Sequence, residues 1–459
     1  MAGQPCAWAR AAGVALPAAA FLYILLFRTW GITHHFWLFT DQIRDWRIAL
    51  GSLTDLPLVG PPQHAGGYAL GPVFYWVLWL IRVTVGPFFD NLPHAGGIGL
   101  SILQSAADVF LLVAIWRKFG SPWLALAVVL LVASAPYDAA LTATIWNPIV
   151  AEALAKSTLA LLVAGWPGRS LWKTALLATI AWLVFQAHIT GIFITAGVLV
   201  WIVAEPILAR RSRDAARAAV AIAAVILVLQ VPYVVFRTTH PAPAVGASPV
   251  LESVLQVVRD PRSLRLAGSG ESFTRALNLV QLEPWRVWWI GWFLATCALI
   301  VVVKHRRDPA TLVATVLPLA ATCAGLAVWV GEYDHYFYLT VLPSAVLTAG
   351  LAVMALVPRR FGLVAGLALV VLAVAVQPAR FRASRGIHRL PEYAALVRAS
   401  GAVARRGQPI RELQAEFLPP GCDPSLLVEI LGGRIERGAA WYAVVSRDGG
   451  VRYHPVESK

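Results

Sequence analysis

The densest group of chemically capable side chains near the start of the chain is Thr40-Asp-Gln-Ile-Arg-Asp-Trp-Arg47. On a helix, Asp41 and Asp45 fall four residues apart on one face, with Arg44 in reach of either. A carboxylate held against an arginine at a membrane surface can act as a base or orient a polar acceptor. The same spacing also describes an ordinary Asp–Arg pair on an amphipathic helix. Thr40 would cap that helix, and Ile43, Trp46 and Leu50 would form an apolar face suited to the membrane surface. Downstream come Leu56-Pro-Leu-Val-Gly-Pro-Pro62, Gly66-Gly-Tyr68 and Gly71-Pro-Val-Phe-Tyr-Trp76, a stiff, turn-rich loop leading into an aromatic helix at interfacial depth. Further polar groups lie in Ile145-Trp-Asn-Pro148, Gln186-Ala-His188 and His335-Tyr336. Single histidines at helix ends are commonly satisfied interfacial side chains, and Trp146-Asn147-Pro148 also reads as a plain helix start.

The elements that must position these groups are set by composition. The chain has 459 residues, of which 58% are apolar and 14% charged, with a mean hydropathy of +0.68. Soluble domains carry about 25% charged residues, so a water-soluble enzyme is excluded and a polytopic α-helical membrane protein is implied. The formal charge of +14 lies largely in short clusters between apolar runs, as the positive-inside bias requires, and does not call for nucleic acid. Placing the clusters at Arg117-Lys118, 169–173, 210–217, 304–307 and Arg359-Arg360 in the cytoplasm predicts eleven spans. They fall near 11–31, 96–116, 122–138, 148–166, 172–187, 189–209, 217–236, 285–303, 310–330, 337–357 and 361–378. The first is read as uncleaved, with the N-terminus cytoplasmic and the C-terminus extracytoplasmic. Gly71 to Val85 is short for a span and reads as an interfacial or re-entrant helix.

This orientation opens the 32–95 loop, Tyr137 to Asn147, Gln186 to His188, the 237–284 loop and Gly331 to His335 on the outer side. Residues 1–378 form the membrane domain, and 379–459 a small outer α/β domain with a helix over Pro391 to Arg406 and strands at 441–445 and 450–453. Asp108, Glu152 and Lys156 lie inside spans, where an unpaired charge costs about 2.5–3.5 kcal/mol. An Asp108–Lys156 pair is expected, with Glu152 as the rival partner. Four cysteines form no zinc or disulfide pattern.

The order of one N-terminal span, Asp41-Gln-x-x-Arg-Asp45, Leu-Pro-Leu-x-Gly-Pro, Gly-Gly-Tyr and Gly-Pro-x-x-Tyr-Trp resembles bacterial GT-C glycosyltransferases. The likeness is to the protein O-mannosyltransferase and aminoarabinose-transferase group (family 39-like), over about residues 20–378. It implies a multi-pass inner-membrane enzyme that moves a hexosyl or pentosyl group from a polyprenyl-phosphate donor to an envelope lipid, glycan or protein. By the resemblance Asp41 is the catalytic carboxylate. Arg44 and Asp45 orient it or the acceptor, and His64, Tyr68, Tyr75, Trp146, Asn147, His188, His335 and Tyr336 are donor-binding candidates. Gln42 stands where an acidic residue is common, so no metal site is indicated, although a divalent ion remains compatible; no other cofactor is called for. Leu70-Gly71-Pro72 replaces the Lys-Pro-Pro of the aminoarabinose transferases. Either the donor differs or the phosphate contact is replaced, with His64, His188, Arg286, His335 and the arginines at 237, 259, 262, 265 and 275 as candidates. A polytopic transporter or glycolipid flippase is the alternative; its mark would be two related halves, and none is visible in the sequence.

Overall fold

The computed structural model describes residues 7–62, 67–240, 256, 259–260, 284–328 and 335–456, with the backbone alone for 7–13, 284–290, 323–328, 335–340 and 359. Each of the eleven predicted segments contains a helix. The long ones are α1 (Ala7–Thr29), α5 (His94–Phe119), α6 (Pro122–Ala133), α8 (Asn147–Val163), α9 (Leu171–Ala187), α10 (Ile192–Leu208) and α11 (Ser212–Thr239). Later in the chain come α12 (Pro284–His305), α13 (Pro309–Val328), α14 (His335–Leu356) and α15 (Gly362–Ala375). Between α1 and α5 the chain makes α2 (Ile32–His35), α3 (Thr40–Leu50) and α4 (Val73–Thr84), and α7 (Pro136–Thr142) follows α6. Among the described residues five helices are long and apolar enough to cross a membrane, or six if the bent α6–α7 pair counts as one span. At 1.5 Å per residue α4 is about 18 Å long, well short of a hydrocarbon core of about 30 Å.

The bundle is organised around α5, which packs against α8, α6 and α1; α9, α10 and α11 form a neighbouring group, and α14 connects α12 and α13 to α6 and α8. The tail adds α16 (Gln377–Arg385), α17 (Tyr393–Arg405), β1 (Leu413–Ala415), α18 (Ser425–Ile430), β2 (Trp441–Val445) and β3 (Val451–Pro455). β2 is the centre of the sheet, parallel to β1 and antiparallel to β3, with Ala443 opposite both Leu413 and Tyr453. Leu396 and Val403 of α17 and Leu426 to Val428 of α18 are buried with the inward residues Leu413, Ala443 and Val445.

Two expectations are corrected. The predicted 122–138 span is not one rod: α6 and α7 meet at 66°. Pro136 has no N–H to donate into a continuing helix but is well suited to begin a new one. Within the segment from Tyr137, expected to open on the outer side, Asp138 is fully buried. The second concerns the buried charges: the expected Asp108–Lys156 contact is present, but as part of a larger network. Lys156 Nζ meets Asp108 at 3.0 Å, Asp138 at 2.7 Å and Glu152 at 3.0 Å. Arg28 of α1 meets Asp108 at 2.7 Å and Asp138 at 2.5 Å. Gln104 accepts from Lys156 at 3.0 Å and donates to Glu152 at 3.0 Å. All five charged side chains are 0% exposed.

Removing one partner from such a network strands the others in a medium of low dielectric, at a cost of about 3–5 kcal/mol. Lys156→Met is therefore expected to lose about that much stability in denaturation from mixed micelles. Adding Asp108→Asn should cost less than the sum of the single changes, by at least about 0.5 kcal/mol. Additive losses would show that the two groups are not coupled.

Candidate active site

α3 starts where Phe39 leaves the extended conformation, and the Gln42 side chain accepts from the Phe39 N–H at 3.2 Å. The expected cap, Thr40, is instead the first helical residue. The apolar face of α3 was expected on the membrane surface, but Ile43, Trp46 and Ala49 are buried in the protein. Trp46 donates its indole N–H to the Asn91 carbonyl at 2.7 Å. What allows this is Gly96 of α5: a Cβ there would lie 2.8 Å from Ile145 and 2.9 Å from Trp46. Because no side chain is present, α3 and the 143–147 segment both close onto the same end of α5.

The polar face carries the predicted triad. Arg44 donates through Nη1 to Asp41 Oδ1 at 2.9 Å, and through Nε and Nη2 to the two oxygens of Asp45 at 2.8 and 3.1 Å. From α4, the Tyr75 hydroxyl donates to Asp45 Oδ1 at 3.0 Å. Asp45 is thus held by a bidentate arginine and a phenol, and its side chain is 1% exposed, whereas that of Asp41 is 50% exposed. Burial pushes the Asp45 carboxyl up to about 6, against the opposing pull of Arg44 and Tyr75. A raised folded-state pKa makes the ionised form the less stable one. The contribution of Asp45 to stability is complete below the ordinary carboxylate range and is lost as pH rises through about 6.

Other predicted residues join this cluster through backbone contacts. Gln42 donates to the Ile145 carbonyl at 3.3 Å, placing Trp146 and Asn147 beside α3. Asn147 donates to the Ala187 carbonyl at 2.8 Å. His188 shares a 2.8 Å hydrogen bond with Thr190 and caps the short turn after α9. Gln186 packs so tightly on Gly71, the residue before Pro72 and α4, that a Cβ at Gly71 would lie 2.5 Å from it. α3, the 145–147 segment, the 186–190 turn and the start of α4 therefore close a ring of contacts. Tyr68 stands at the rim, exposed, with its ring against Phe236 of α11 at 5.5 Å, next to Arg237. His64, Arg262, Arg265, Arg275 and the 331–334 segment lie outside the described residues, as do the side chains of Arg286, His335 and Tyr336.

Sequence reasoning missed two groups at this end of the molecule. Trp37 stacks on Phe39 at 3.8 Å, directly before α3. His388, from the loop between α16 and α17, contacts both Trp37 and Trp146. The half-apolar composition around Trp37 carried a signal for the first, but nothing in the tail sequence pointed to the second. Among the described residues, no three His, Cys, Asp or Glu side chains converge as a metal site would need.

No protein-family profile and no curated protein matches this sequence. Solved structures do. The chain is similar to ArnT from Cupriavidus metallidurans bound to undecaprenyl phosphate, with a TM-score of 0.53 and 14% identity over 94% of this chain and 86% of that one. The same protein in its apo state gives 0.51 and 15% identity, over 93% and 86%. At this level of identity the likeness is one of fold alone, shared over 94% of this chain.

Proposed function

We propose that this chain transfers a hexosyl or pentosyl group from a polyprenyl-phosphate-linked donor to an envelope lipid, glycan or protein on the extracytoplasmic face of the inner membrane, with inversion. The observation that carries the reading is Asp41. It is a half-exposed carboxylate on an interfacial helix immediately after the first span, in a fold that a protein bound to undecaprenyl phosphate shares. A long isoprenoid tail partitions into the bilayer and leaves its phosphosugar at the depth of α3 and α4. The N-terminus is cytoplasmic in this reading and the tail extracytoplasmic.

In the reaction, the acceptor's hydroxyl or amine attacks the anomeric carbon while Asp41 takes its proton. The bond from that carbon to the phosphate oxygen breaks, and the electron pair leaves with the phosphate. One in-line displacement inverts the anomeric centre. Negative charge grows on the leaving phosphate, where cationic side chains stabilise it most effectively. Arg237, beside the Tyr68–Phe236 contact, is a candidate for that role. Arg44 fixes the position of Asp41, and Asp45 and Tyr75 fix Arg44. Trp146, Asn147 and His188 form the far side of the donor site, and His64, His335 and Tyr336 remain assigned to it by the resemblance.

Two outcomes are expected in proteoliposomes supplied with labelled undecaprenyl-phosphate sugars and an envelope fraction. Asp41→Asn should yield a folded, inserted protein whose transfer falls at least about 100-fold, the effect of deleting a general base. Undiminished turnover would remove Asp41 from that role. Wild-type transfer should also decline as pH falls through about 6, where Asp45 takes a proton and releases its hold on Arg44. Asp45→Asn should be slower at neutral pH and lack this acidic limb; persistence of the limb in that variant would assign it to another group.

A further inference from the structure

We propose that His388, brought to the site by the tail, hydrogen-bonds the sugar ring of the lipid-linked donor, an assignment that rests on the glycosyltransferase reading above. The loop that carries it is anchored beside the end of α1. Leu390 donates its N–H to the His35 carbonyl at 3.3 Å, and Arg385 donates to the carbonyls of Trp30 and Phe27. So held, the His388 imidazole meets two indoles in T-shaped contacts. Its centroid is 5.1 Å from Trp37 and 5.2 Å from Trp146, at interplanar angles of 77° and 76°. Both tryptophans adjoin α3 and the ring of contacts it helps to close. Trp37 stacks on Phe39, the residue before α3, and Trp146 follows Ile145, whose carbonyl accepts from Gln42.

Two features of His388 are unexplained by packing. Its backbone has φ +45°, in the left-handed region that side-chain-bearing residues seldom enter. Such strain persists where the surroundings impose it, and it concentrates at functional sites. Moreover, neither ring nitrogen has a hydrogen-bond partner among the described residues. Neither nitrogen is sealed inside the protein, so both can meet an incoming hydrogen-bonding group.

The character of the ring selects the ligand. Burial lowers the His388 pKa below its ordinary value, so the imidazole is neutral at pH 7. A neutral imidazole offers one donor and one acceptor, the pairing that adjacent sugar hydroxyls satisfy, whereas a phosphate would favour a cation. The two indoles present apolar surface to the C–H groups of a sugar ring. Donor is favoured over acceptor by the difference in burial. Asp41 faces water and takes the proton of the incoming acceptor, which leaves the half-buried Trp37–His388–Trp146 wall to a group delivered from the membrane.

The test uses the full chain in nanodiscs, titrated with undecaprenyl phosphate and with the same carrier bearing glucose, mannose or arabinose. Wild type should bind at least one glycosylated carrier more tightly than the bare one. His388→Phe keeps the aromatic contacts and deletes both nitrogens. It should weaken the preferred glycolipid about tenfold, the loss of one or two neutral hydrogen bonds, and leave the bare carrier unchanged. His388→Asn tolerates the left-handed backbone, retains a donor and an acceptor, and should recover most of the loss. Unchanged glycolipid affinity in His388→Phe, an equal loss for the bare carrier, or a wild type that does not distinguish the two would each overturn the assignment. A wild type that binds neither carrier would bring down the glycosyltransferase reading itself, and this assignment with it.

Discussion

The structure depends on five buried charges being present together. Arg28, Asp108, Asp138, Glu152 and Lys156 come from α1, α5, α7 and α8, and none reaches solvent. Each alone would be costly at membrane depth, and each is tolerable only because the others complete its coordination. The requirement fixes geometry. Arg28 is one residue from the end of α1, so satisfying its contacts to Asp108 and Asp138 determines where the chain leaves the membrane. α2 and α3 begin there, which makes the position of Asp41 a consequence of charge pairing more than ten residues earlier.

The network in turn depends on the break between α6 and α7, and the tail holds that break. Arg380 donates to the Leu131 carbonyl at 2.6 Å and to the Ser134 hydroxyl at 3.0 Å, and Gln377 donates to the same hydroxyl at 3.0 Å. These bonds satisfy groups that the interrupted helix would otherwise leave unpaired. From there the tail crosses the end of the bundle that carries α3. Tyr393 shares a 3.0 Å hydrogen bond with His94 at the start of α5, and Arg47 of α3 pairs with Glu429 at 3.2 Å. The C-terminal segment is therefore part of the scaffold that positions α3, and a boundary drawn at residue 378 cuts through these contacts.

Much of this could be read from the chain. Helices follow from uninterrupted apolar runs, which is why each predicted segment contains one, and the Asp41–Arg44–Asp45 cluster follows from helical spacing alone. What could not be read depends on partners distant in sequence. Asp138 looked like an outer-loop residue because its cation, Arg28, is 110 positions away. The face of Ile43 and Trp46 has the pattern of a membrane-surface helix. Only the absent Cβ of Gly96 and the approach of Ile145 make it a protein-facing one. The Thr40 cap failed for a local reason: Gln42 reaches the Phe39 N–H first, so no hydroxyl is needed there.

The two aspartates of α3 show how one short helix can serve opposing demands. A base, the role proposed for Asp41, must meet its substrate in water, where little holds a side chain still. An immobile anchor must be buried, where ionisation is costly. Spacing of four residues separates these environments by a single turn, so Asp41 stays half exposed while Asp45 is enclosed by Arg44 and Tyr75. Arg44 links them, taking its fixed orientation from the bidentate contact to Asp45 and passing it to Asp41 through the remaining nitrogen. A lysine could not do this, because a single ammonium lacks the planar fork that engages one carboxylate on two atoms and still reaches the other. The raised pKa of Asp45 is then the thermodynamic trace of the arrangement: the protein tolerates an unfavourable buried charge because it fixes the exposed one.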